Sequence, residues 1–327
     1  MNNQLRPMAL GEILDRTAEL YRNHFLLFAG TSAIFAGIML AVQLLYVRSL
    51  VLLGYPNMMA HFQWGTASGA VLEGLVILML AGLSIAANNR AVAWVYLDKS
   101  ASIRAAAKSV LPRLRTYLWL MTITGFRAWA PFAALYVVFF AVAFAFLPHD
   151  FMTNPAAVQN AVKQNPGNMM EFGVGMIVLL PFFILAALYG AWMSLRYSLA
   201  VPACVVEELP ATAAIKRSIE LSLGSRGRIF VLGLLVYAVR MLLGILFGFP
   251  LIALAIKHPG HPLPVGWLMM QQVGFFVSSS LIGPIYSIGL TLFYYDQRIR
   301  KEGFDIEWMM QAAGLSLQPE LAEPQNS

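Results

Sequence analysis

The sequence predicts an all-α polytopic membrane protein, with six transmembrane helices and short amphipathic helices on its cytoplasmic side. Three observations lead there. Of the 327 residues, 59% are hydrophobic and only 12% charged, whereas soluble domains run at about a quarter charged. Six stretches are apolar over the roughly 20 residues that a helix needs to cross the hydrocarbon core. The lysines and arginines lie between those stretches and fall mostly on one side.

The chain opens with an amphipathic pattern. Leu10, Ile13, Leu14, Thr17, Ala18 and Tyr21 recur at helical spacing, with Glu12, Asp15, Arg16 and Glu19 outside the stripe. The spans then follow at about 25–47, 67–87, 117–147, 172–195, 229–256 and 265–295. No cleavable signal peptide is visible before the first span, which is long enough to serve as a retained anchor. The third, fifth and sixth are longer than necessary, and Pro131, Pro181, Pro250 and Pro284 are candidate kink points. Between spans two and three, Ile103, Ala106, Ala107, Val110 and Leu111 form a second stripe, with Ser100 or Ser102 available as a cap. Residues 211–219 resemble it. Gly303 is expected to end the last helix, and 311–327 is expected to be a disordered tail.

Seventeen lysines and arginines flank the spans on one side; only Arg48, Lys163 and Lys257 lie on the other. Both termini should therefore face the cytoplasm. The formal charge of +6 does not indicate nucleic acid, because the cations are spread between apolar spans. A lone Cys204 can form no internal disulfide.

Two basic residues remain, Arg127 and Arg240, each inside an apolar run and in matching surroundings. PRLRTYLWLMTITGFRAW (112–129) aligns without a gap to SRGRIFVLGLLVYAVRML (225–242), and each places an arginine twelve residues after an Arg-x-Arg. Spans two–three and four–five thus read as a duplicated hairpin, with spans one and six flanking it.

LGEILDRTAELYRNHF (10–25), PACVVEELPATAAIKRSIELSLGSRGRIF (202–230) and YYDQRIRKEGFDIE (294–307) resemble a bacterial family of membrane proteins. That family is named after the membrane domain of glycerophosphoryl diester phosphodiesterase. The resemblance implies a domain of this architecture in the bacterial inner membrane. It does not imply the hydrolase: the soluble phosphodiesterase needs a His-Arg-Gly turn and a Glu-x-Asp metal pair, and neither occurs here.

Other chemistry is sparse. The histidines are His24, His61, His149, His258 and His261; HPGHP (258–262) lacks the helical spacing of a metal pair. No HExxH, Gly-x-Ser-x-Gly or phosphate loop occurs, so no enzyme activity, metal or cofactor is expected. The buried charges carry what remains. Glu73 lies early in span two, at a depth that would let it pair with Arg127 or Arg240 if the spans run straight. The unpaired arginine would then take a carbonyl, water or an anion, at a cost that keeps it off the lipid. Arg240, Gly244 and Gly248 follow at four-residue spacing, so the two glycines are expected to form a helix-packing face, with Gly190 and Gly283 on matching faces of spans four and six. The alternative is a structural arginine that snorkels to the inner interface. Two functions stay open. One is a scaffold or anchor for an envelope- or lipid-related protein partner. The other is a transporter-like handler of lipid or anionic solute. In both, anionic headgroups meet the basic cytoplasmic face.

Overall fold

A computed structural model of the chain describes residues 6–52, 64–96, 99–147, 160, 163–257 and 265–303. The expected tail at 311–327 and the histidines His61, His149, His258 and His261 lie outside the described residues. Every regular element among those described is helical, and six spans are long and apolar enough to cross a membrane. The helices are α1 (Leu10–Asn23), α2 (Phe25–Leu52), α3 (Trp64–Tyr96), α4 (Ile103–Lys108), α5 (Leu114–Phe146), α6 (Pro166–Arg196), α7 (Ala200–Val206), α8 (Ala211–Ser222), α9 (Arg226–Lys257), α10 (Val265–Leu281) and α11 (Gly283–Glu302).

The long helices overshoot a bilayer. With 28 to 33 residues each, α2, α3, α5, α6 and α9 run about 42–50 Å, against a hydrocarbon core of about 30 Å. The helices α5, α6 and α9 continue through Pro131, Pro181 and Pro250, since a long apolar helix tolerates one missing bond. The sixth span is different. Expected as one helix over 265–295, it is broken at Ile282 into α10 and α11, with Pro284 in the first turn of α11. Proline fits there because a first-turn N–H has no helical partner to lose.

At the end of the bundle where Met8 meets Asp296 and Arg300, α1, α4, α7 and α8 form a cap. The Ser102 hydroxyl accepts the Ala105 N–H at 3.2 Å and starts α4. Gly303 ends α11 in the left-handed region (φ 65°), its N–H reaching the Ile299 carbonyl at 3.2 Å. The helix α7 has no signature in the sequence, because AVPACVV is uniformly apolar and carries no amphipathic period. Its residues Ala200, Pro202, Ala203, Cys204 and Val205 are buried.

The hub of the cap is α11, with 13 of its 20 residues buried. Its Asp296 is fully buried and accepts the Met8 N–H at 2.8 Å, Arg300 Nε at 3.0 Å and Arg228 Nη2 at 3.3 Å. Both arginines also donate to the Met8 carbonyl. Nearby, Glu207 accepts Arg217 Nε at 2.9 Å and the Tyr294 hydroxyl, while Arg217 bridges on to Glu302. Burial opposes the Arg217 charge, but its bonds to Glu302 and Glu207 outweigh that and raise its pKa.

Away from the cap, close backbone approach does the packing. A side chain at Gly274 would meet the Phe247 ring at 2.5 Å and its Cβ at 2.7 Å; one at Gly289 would meet Leu232 at 2.6 Å. At Gly190 the Ala128 carbonyl and the Trp129 ring lie 3.2–3.3 Å from where a Cβ would stand, so α6 sits tightly on α5. Gly244 and Gly248 do not form the expected packing face. Among the described residues nothing lies within 4 Å of a Cβ at either position, and Gly244 is exposed. The reason is angular: at 100° per residue, Phe247 returns within about 20° of Arg240, whereas Gly244 and Gly248 rotate about 40° and 80° away. The order long helix, short helix, long helix recurs in α3–α4–α5 and α6–α8–α9, with α7 as an extra element in the second set. The arms differ in partner, since α5 packs mainly on α6, and α9 on α10 and α11.

Gly274→Ala is therefore expected to cost about 1–3 kcal/mol through overpacking against Phe247. Gly244→Ala should leave stability unchanged or slightly higher. Thermal unfolding of both variants in one detergent reads the contrast. In the cap, Asp296→Ala is expected to cost about 3–5 kcal/mol, because Arg228 and Arg300 would lose a buried partner. The same melt checks it.

Candidate functional site

Five helices, α2, α3, α9, α10 and α11, enclose a cavity of about 340 Å³ beside the break in the sixth span. Its wall is mostly apolar, with Met39, Ile85, Val236 and Phe275, but a set of polar groups converges on it: Ser32, Ser84, Arg240, Ser279 and Ser287, with the tyrosines Tyr237 and Tyr286. An apolar pocket with a few convergent polar groups is the usual form of a small-molecule site.

Local sequence explains each placement. The α9 face Gly233, Val236, Tyr237 and Arg240 follows helical spacing, and it is held to α11 by Leu232 on Gly289. The break at Ile282 lets α10 end and α11 begin at the cavity wall, where Ser279, Gly283 and Ser287 line it. Tyr21 of α1 donates its hydroxyl to the Leu281 carbonyl at 2.7 Å, a carbonyl at the end of α10. Burial pushes the Tyr21 phenol up, so it stays a donor at neutral pH. Next to the lining residues, amides and hydroxyls bond from helix to helix. Asn88 Nδ2 donates to Ser32 Oγ at 2.9 Å, and the Thr291 hydroxyl to Asn89 Oδ1 at 3.0 Å. Ser287 is only 1% exposed, and its hydroxyl has no partner among the described residues. Such a group normally finds a ligand or a water.

Among the described residues, Arg240 is the one cation on the cavity wall. Its Nη2 reaches Ser279 Oγ at 3.2 Å, and among the described residues it makes no ion pair. With Tyr237, 60% exposed, it stands at the rim, so the cavity opens sideways beside the outer face of α9. There α3 and α9 face one another across the gap, α9 packing instead on α10 and α11.

The three charges expected at one site are not united. The contacts of Gly82 with Met121, Asn89 with Thr291 and Leu232 with Gly289 fix the relative heights of the helices. At 1.5 Å per residue, Arg127 and Arg240 come within about 5 Å of one level, and Glu73 lies about 5–9 Å farther from the cap. Yet Glu73 forms no ion pair with either arginine among the described residues. Arg127 is exposed on α5 and, among the described residues, makes no hydrogen bond or ion pair. The alignment of the two arginines in sequence thus gives equal height without shared surroundings: α9 is backed by a cavity, whereas α5 is zipped to α6 through Phe132, Tyr136 and Phe183. Gly190 and Gly283 also part ways. Gly190 is a close-packing point, whereas Gly283 lines the cavity, where a Cβ would stand 4.0 Å from Ser32 Oγ.

Several cavity residues escaped sequence reasoning, above all Ser32, Ser84 and Tyr237. Polar residues inside apolar runs were their only signal, and the Asn88–Asn89 pair in span two was the strongest instance. Among the described residues no three of His, Cys, Asp and Glu converge as metal ligands; His24 packs edge-on against Phe28 instead. No protein-family model, curated protein or solved structure matches the chain.

Because Arg127 touches nothing polar among the described residues, Arg127→Gln is expected to change stability by less than about 0.5 kcal/mol. Equilibrium unfolding of the variant against the parent measures it.

Proposed function

We propose that the protein binds an anionic lipid or anionic solute in the cavity beside Arg240, as a non-enzymatic, transporter-like component of the bacterial inner membrane with both termini in the cytoplasm. The observation that carries the proposal is Arg240 itself: a permanent cation on the wall of a mostly apolar cavity, held by a serine and, among the described residues, balanced by no carboxylate. A charge inside a membrane domain is costly unless it faces a partner or a water-filled space. An anion entering from the side of α9 would neutralise it. The Ser279 and Ser287 hydroxyls are then available as donors to the same group. The open rim at Tyr237 suits a ligand with an apolar part left in the lipid. The bias of basic residues toward the cap supports the orientation. The motif resemblance to the family of phosphodiesterase-associated membrane domains agrees with a binding role without hydrolysis.

The competing proposal is a scaffold for an envelope-related protein. Its support is the cap, where Arg104, Lys108 and Arg115 carry no carboxylate partner among the described residues. It predicts a protein that co-purifies in mild detergent.

Native mass spectrometry of the purified chain tests the binding proposal. The parent is expected to retain an anionic lipid or solute that Arg240→Ala loses, a drop of about tenfold or more for one lost charge-assisted contact. Equal retention by a folded Arg240→Ala variant would sink it.

A further inference from the structure

A second place where cations go unbalanced lies at the cap end, on the outer surface of α6, away from the cavity. Trp192 carries two guanidinium groups on one indole: Arg196 Cζ is 5.5 Å from the ring centroid, and Arg226 Cζ, from the start of α9, is 5.7 Å away. Cation–π attraction holds each of them but neutralises neither. Arg196 Nε is buried without a hydrogen-bond partner, and Arg226 has one long contact, Nε to Ser222 Oγ at 3.5 Å. Among the described residues neither side chain meets a carboxylate. The cap's neighbouring arginines Arg90, Arg113, Arg217, Arg228, Arg298 and Arg300 all do.

The surface around this pair is apolar. Trp192 is 45% exposed, and Leu185, Leu188 and Tyr189, one and two turns away on α6, are exposed with it. Tryptophan, tyrosine and arginine together at the end of an apolar span are what the headgroup level of a bilayer selects. Two like charges drawn to one ring repel, and an anion between or beside them removes that repulsion.

We infer that Arg196, Arg226 and Trp192 form a binding site for the phosphate of an anionic phospholipid, with the acyl chains lying along the exposed face of α6. The two guanidinium groups supply donors in planar forks suited to phosphate oxygens; the Arg196 Nε is buried, so the terminal nitrogens face the ligand. A lipid rather than free phosphate is the occupant because the α6 face beside the cations is apolar and exposed.

The test uses the purified full chain in detergent micelles doped with phosphatidylcholine alone, or with phosphatidylcholine and phosphatidylglycerol, with retained lipid counted by native mass spectrometry. The parent is expected to hold one more phosphatidylglycerol than Arg196→Gln/Arg226→Gln, with equal phosphatidylcholine on both. Arg240→Ala should still hold it, which separates this site from the cavity. Arg226→Gln, a change at a half-buried position that removes one long hydrogen bond and one cation–π contact, is measured alongside as the variant expected to fold like the parent. It should weaken retention about tenfold. Equal phosphatidylglycerol on the parent and on Arg226→Gln overturns the site. Displacement of the lipid by millimolar inorganic phosphate overturns the choice of a lipid occupant.

Discussion

Everything in the cap hangs on one buried carboxylate. Asp296 has no exposed surface, so it must be neutralised where it stands, and its partners are Met8 and Arg228, from two distant parts of the chain, and Arg300, one turn along its own helix. Such a group adds little net stability relative to an apolar core, but it tolerates few alternatives. It fixes α1 and the start of α9 against α11. From that anchor α9 rises past Leu232 on Gly289, and fourteen residues after its start Arg240 arrives opposite Ser279. The cavity geometry is thus set about 20 Å away from the cavity.

The break at Ile282 is the second constraint. A continuous helix would bury its carbonyls in its own ladder, but here the end of α10 leaves the Leu281 carbonyl to accept Tyr21. Irregular backbone at membrane depth persists where protein or a cavity surrounds it, and often marks a binding region. Both unbalanced cation groups obey the same rule. One faces this cavity and the other an exposed apolar helix face, while Arg217, Arg228, Arg298 and Arg300 of the cap are matched by carboxylates.

Fold class and spans were legible because they rest on long apolar runs and on charge placement, which are properties of segments. Gly303 and Ser102 were legible for a related reason, since a cap depends on a few adjacent residues. What the sequence hid depends on which face of a helix meets which neighbour. Gly244 and Gly248 satisfy a packing motif, yet α9 is turned so that Phe247 makes the contact, with Gly274 across from it. Arg127 and Arg240 share a local pattern and a height, but only one of them has a cavity behind it. Pairing of Glu73 with either arginine needed two helices to meet face to face, and no periodicity encodes that.

The bond between Met8 and Asp296 joins residues 288 positions apart. During synthesis the segment around Met8 is made long before its acceptor exists, and spans one to five can insert while the α1 docking surface is still missing. The fold is therefore closed last, by the span that carries the carboxylate. Until then α1 is an amphipathic helix without its groove, and the membrane surface is the natural place for it to wait. The order of assembly is written into the position of one aspartate.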